Sequence, residues 1–295
     1  LCNTCEAVSG NVSFKDGDAV NAFAAFLTEV EKLRRYGFTE SEVSRAKDNL
    51  IQRLEKTVEG ASTRSNAEFV RPLINNFFFN DPYMTPETEL QLAKGLFSVL
   101  NAQILNQMLP MFLQEQNVLI LYNGPEKEGL ANPTEAQLAE VYAAVKKAEI
   151  APNAEESTNE PLLDETQLKG SKVKKEKKTL YGATEWTLKN GVKVIVLPTD
   201  YKKDQVNISL SMDGGRTLIA TEDLPSFEDN VWGLFLRNTG VSKFSGTTLP
   251  KMLAGKSAYA NPFISNLSHG IKASSTPKDL ETAFQLLYLE FVDPR

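Results

Sequence analysis

The hydrophobic period of this chain changes once along its length, and that change limits its fold more than any other feature. Up to about residue 150 the apolar residues recur at helical spacing, and beyond about residue 180 they alternate. Helices gathered in one stretch and strands in another predict an α+β protein, with antiparallel sheet and segregated helices. In the first stretch Asp18 is a natural cap, and Ala19, Val20, Phe23, Phe26, Leu27, Val30 and Leu33 form a stripe that Gly37 stops. Thr39 and Glu42 have capping-box spacing, and a second stripe runs from Val43 to Val58 before Gly60. A third helix is expected through Phe69 and Ile74 despite Pro72. A fourth begins at Thr85-Pro86, with Phe77, Phe78 and Phe79 anchoring the packing between the two. Another helix is expected at Ile104 to Phe112, a buried strand at Asn117 to Tyr122, and a helix opened by Thr134 with Gln137.

From Ala151 to Lys178 no period survives. An acidic, Pro-containing segment gives way to Lys172–Lys178, with five lysines and one glutamate, and the whole reads as a solvated tether. Three regions follow: 1–150 helix-rich, 151–180 linker, 181–295 sheet-bearing. In the last, Trp186 to Leu188 and Val192 to Leu197 flank Asn190-Gly191, a strong hairpin signal. Gln205 to Met212 is an alternating strand broken by Gly214-Gly215, and Val231 to Leu236 reads as a helix. A final helix from Thr276-Pro277 carries Leu280, Phe284, Leu287, Tyr288 and Phe291 on one side.

Composition excludes several classes. With 41% hydrophobic and 24% charged residues the chain is an ordinary globular sequence. Its net charge of −6 disfavours a nucleic-acid backbone as partner, and no apolar run approaches the roughly 20 residues of a membrane span. No leader with a basic start and apolar centre follows Leu1. Asp293-Pro294-Arg295 directly trails a helical segment, so the chain reads as a piece of something longer.

The search for chemistry is largely negative. Cys2 and Cys5 form a lone Cys-x-x-Cys; a strand over Asn3 to Ala7 would point the two sulfurs to opposite faces, which suits two packed thiols. Ala254-Gly255-Lys256-Ser257 has the tail of a phosphate loop, but Pro250 stands where its first glycine belongs. His269 is the one histidine, in Ser268-His269-Gly270, and reads as an ordinary strand or turn residue. One His and two remote Cys do not make the three ligands of a catalytic zinc.

Two segments nevertheless resemble the M16 zinc metallopeptidases, the group of pitrilysin, insulin-degrading enzyme and mitochondrial processing peptidase. They are Val30-Glu31-Lys32-Leu33-Arg34-Arg35-Tyr36-Gly37-Phe38-Thr39 with Glu42 and Ala46-Lys47, and Leu188 to Val194 followed by Asp213-Gly214-Gly215. Gly124-Pro125-Glu126-Lys127, Gly240 with Phe244-Ser245-Gly246, and Ser275 to Leu280 support them. The resemblance implies the end of a first M16-like half, a linker and the start of a second half, in a fold whose halves close around an unfolded peptide. Active halves carry His-x-x-Glu-His; counting back from Gly240, the matching positions are Val231, Trp232, Gly233, Leu234 and Phe235. Apolar groups cannot ligate zinc or take a proton from its water, so this half is expected to be the non-catalytic one.

The resemblance therefore implies part of the wall and hinge of a peptide-enclosing chamber. The parent would be a zinc endopeptidase whose substrate adds as a strand to a sheet edge. No catalytic, cofactor-binding or metal-ligating residue is assigned to this chain; zinc is expected only in the parent. The partners implied are the remainder of its own chain and a peptide substrate, and the location implied is periplasmic. The alternatives are a wholly inactive M16-like subunit that binds peptides or assembles with a catalytic partner, and an interaction module unrelated to proteolysis.

Overall fold

A computed structural model describes residues 7–114, 116–153, 160–164, 166, 168–227 and 238–295. Among these the order is α1 (Ala19–Tyr36), α2 (Glu40–Glu59), α3 (Asn66–Phe79), α4 (Pro86–Val99), α5 (Ala102–Phe112) and α6 (Glu135–Lys147). There follow β1 (Val173–Lys178), β2 (Thr184–Leu188), β3 (Lys193–Val196), β4 (Val206–Asp213), β5 (Gly240–Val241), β6 (Phe244–Ser245), α7 (Thr248–Met252), β7 (Ala258–Ile264), β8 (Ser268–Ser275) and α8 (Leu280–Val292). Among the described residues six α-helices precede the first strand and every sheet is antiparallel, so the protein is α+β. The described residues group into two units, one within Leu1–Lys47 and Lys94–Glu156, the other within Asp48–Ala93 and Ser157–Arg295.

In the first unit α1 packs on α6. Gly37 ends α1 with φ +71°, and a Cβ there would lie 2.5 Å from the Asn106 side chain. Asn106 uses that approach to bond both backbone groups of Phe38, at 2.8 and 3.0 Å. The expected capping boxes form: the Glu42 amide donates to Thr39 Oγ1 while the Thr39 amide donates to Glu42 Oε2, and Thr134 with Gln137 does the same. Asn117 to Tyr122 departs from expectation. It is not a strand, and Leu119 and Leu121 are each 86% exposed. A strand needs a partner for its ladder, and the described residues of this unit are helices and loops.

In the second unit β4, β8 and β7 form one sheet in that order, with Met212 and Ile264 both opposite His269. The Asn190-Gly191 hairpin joins β2 to β3 as expected, Gly191 taking φ +91°. The lysine run read as tether is strand β1, paired with β2. Its exposed lysines guard an outer edge against unwanted pairing. Helix α8 packs on β7 and β8 through Ala283, Leu286 and Leu289, and Val241, Leu249 and Leu253 complete that core.

Two further expectations about faces fail for one reason. Phe77, Phe78 and Phe79 are exposed rather than anchoring, and α3 has no buried residue. On α8 the buried face is Thr282, Ala283, Leu286 and Leu289, while Phe284, Tyr288 and Phe291 lie outside, and the helix begins at Leu280 rather than at Thr276. Both helices are apolar on more than one side, so spacing alone cannot choose the face; on α8 the smaller side chains fit against the sheet, and α3 buries no side among the described residues.

Candidate functional site

The end of β4 is a tightly constrained turn of the second unit. Gly214 and Gly215 turn the chain at φ +123° and +60°. The Gly214 amide donates to the Leu267 carbonyl and the Arg216 amide to the Ser265 carbonyl, both at 2.9 Å, which staples this turn to the one between β7 and β8. A Cβ on Gly215 would stand 2.2 Å from the Ser265 oxygen, so only glycine fits. The Gly215 amide donates to His269 Nδ1 at 3.2 Å, which assigns the imidazole proton to Nε2.

Beside this staple lies a cleft of about 390 Å³, walled by Leu218, Ile219, Phe227 and Ile264 with His269 and Asp223 as its titratable groups. Arg216 holds one wall, its Nη2 donating to the Phe227 carbonyl at 3.2 Å with the guanidinium 5.5 Å from the Phe227 ring centre. A mostly apolar cleft with one imidazole can hold an apolar side chain and offer it one hydrogen bond. It does not fit zinc. Among the described residues no group of three or more His, Cys, Asp or Glu side chains is placed to hold a metal.

A wider, polar cleft of about 770 Å³ lies in the first unit around Glu31, Arg35 and Lys146. Buried Glu31 accepts from Arg34 Nη2 at 2.7 Å and Arg35 Nε at 2.8 Å, and Arg35 also donates to the carbonyls of Lys146 and Ala148. These charges answer one another and latch α1 to α6.

The other sequence candidates have definite places. Lys256 Nζ donates to Thr282 Oγ1 at 3.1 Å, and the Ser257 amide to Asp279 Oδ2 at 2.8 Å. The phosphate-loop tail is thus a polar tie onto α8. Val231–Phe235, Cys2 and Cys5 lie outside the described residues. Sequence reasoning missed the cleft walls Leu218, Ile219 and Asp223; the Gly214-Gly215 pair was the signal that could have led to them. In the β4-β8-β7 sheet the outer edge of β4 is unpaired among the described residues. It offers eight residues without proline, whereas β7 carries Pro262.

A protein of Arabidopsis thaliana named "Zinc protease PQQL-like" is 23% identical over 262 residues, covering 89% of this chain and 25% of its own length. Escherichia coli (strain K12) "Probable zinc protease PqqL" is 20% identical over 296 residues, covering 94% of this chain and 29% of its own. The chain is thus similar to zinc proteases along most of its length, in line with its resemblance to the M16 peptidases. It spans about a quarter of the length of these relatives. Among solved structures, the periplasmic protease PqqL from Escherichia coli has TM-score 0.43 at 17% identity, covering 95% of this chain and 31% of its own. A mutant of the ferredoxin protease FusC, in complex with Arabidopsis ferredoxin, has TM-score 0.49 at 18% identity, with 95% and 31% covered. No family model matches the chain.

Proposed function

We propose that this chain is the non-catalytic region of a longer M16-type zinc endopeptidase and forms part of the wall and hinge of a chamber around an unfolded peptide. One observation carries the reading. A chain similar to zinc proteases over 89% of its length has Val231, Trp232, Gly233, Leu234 and Phe235 where an active half has His-x-x-Glu-His. The zinc and the water it activates then belong to the remainder of the parent chain, not to these residues. The unpaired edge of β4 supports strand addition of an extended peptide, a mode that reads backbone more than side chains. The compartment the resemblance implies is the periplasm; among the described residues no helix is long and apolar enough to cross a membrane.

The test is zinc content and cleavage of an unstructured peptide by the complete natural chain, with the 295-residue chain run beside it. The reading expects one zinc and cleavage in the complete chain and neither in the shorter one. Tight one-to-one zinc in the shorter chain overturns it. Zinc in neither makes the parent an inactive binding or assembly subunit.

A further inference from the structure

The end of α2 lies beside a buried carboxylate oxygen that has no hydrogen-bond partner. The Lys56 carbonyl accepts the Gly60 amide at 3.0 Å, and the Gly60 carbonyl accepts Thr63. The carbonyls of that last turn carry the negative end of the helix dipole. Asp204, in the turn before β4, is only 7% exposed, and its Oδ1 has no hydrogen-bond partner. A Cβ on Gly60 would stand 3.3 Å from the Lys56 oxygen and 3.5 Å from Asp204 Oδ2, so both oxygens border one gap. A buried carboxylate oxygen without a donor, beside a helix C-terminus, is an arrangement folded chains avoid because desolvation and repulsion act together.

We propose that this gap is a cation site in which the Asp204 carboxylate, the Lys56 carbonyl and water ligate one hard divalent ion of the calcium class. The donor set is all oxygen, which selects Ca²⁺ over zinc or copper. Calcium tolerates irregular geometry and backbone carbonyl ligands, and a single carboxylate sets the affinity near the millimolar end of its range. The proposal is independent of the peptidase reading, since it needs no substrate and no upstream sequence.

The test is thermal unfolding of the 295-residue chain in chelator and in CaCl₂ at a few millimolar, with two variants. The parent should gain a few degrees in Tm with CaCl₂. Asp204→Asn should gain nothing, and in chelator it should be at least as stable as the parent, because a bare charge has been removed. Gly60→Ala is the second variant: φ −80° and ψ −2° suit alanine, and its methyl fills the gap. It should fold and lose the calcium gain. A parent indifferent to calcium, or two variants that still respond, overturns the site. So does an Asp204→Asn variant equally weakened in chelator and calcium, which would make Asp204 a ligand of ordered water.

Discussion

Lys47 Nζ lies 2.9 Å from the carbonyl oxygen of Phe97 and donates also to the carbonyl of Leu100. One ammonium thereby answers two carbonyls at the end of α4, where the helix dipole is negative and intrahelical amides run out. Charge-assisted bonds of this kind contribute about 1.5 to 3 kcal/mol each, less where water reaches them. Lys47→Met should lower unfolding free energy by about 1 to 3 kcal/mol. Urea titration measures it, and a loss within about 0.3 kcal/mol would show that water caps these carbonyls equally well.

Glu31 makes a pH-dependent contribution. Burial alone would push its carboxyl upward, but hydrogen bonds and charge from Arg34 and Arg35 outweigh burial and leave it below the ordinary value of 4.5. A carboxyl depressed on folding adds stability that is present above its unfolded pKa and lost as pH falls through the folded one. Glu31→Gln should therefore cost about 1 to 3 kcal/mol at pH 7, and the gap should narrow below pH 4.5. Chemical denaturation of parent and variant at both pH values checks this; a gap that stays constant rejects it.

Glu290 behaves in the opposite sense. It is half-buried on α8, and desolvation raises its carboxyl to about 7. The folded state then holds a proton that the unfolded chain releases near 4.5, so this residue's contribution declines as pH rises from about 4.5 to about 7. Glu290→Gln should match the parent at pH 4 and be more stable at pH 8, read as a difference in Tm. Equal Tm at both would mean that the carboxyl reaches water.

At Gly215 the outcome is steric. With φ +60° and the Ser265 oxygen 2.2 Å from any Cβ, Gly215→Ala adds left-handed strain and a backbone overlap. A loss above about 3 kcal/mol is expected, with weakening of the turn that places His269. Hydrogen exchange at the Gly214 and Arg216 amides localises it: protection retained at both would show that the staple tolerates a methyl.

Much of the local structure was legible in residue order. Thr39 with Glu42, Thr134 with Gln137, Gly37 and Asn190-Gly191 act on neighbours a few residues away, and each does in the structure what its chemistry predicts. The candidate cleft was legible only as a pair of glycines, because it closes only where Ile264 and His269, about fifty residues further on, meet the walls that follow those glycines. The buried oxygen at Asp204 left no signal at all, since its surroundings are set by the end of a helix that precedes it by well over a hundred residues.

What the sequence by itself determined was the α+β order, the capped starts of α2 and α6, the stop of α1 at Gly37 and the hairpin, because propensity, capping and side-chain chemistry are local properties. Tertiary structure decided which face of α8 is buried, that Lys172–Lys178 supplies a strand, and that Asn117 to Tyr122 is not one. A helix apolar on several sides takes its orientation from the surface it meets, and a strand exists only where another backbone completes its hydrogen bonds.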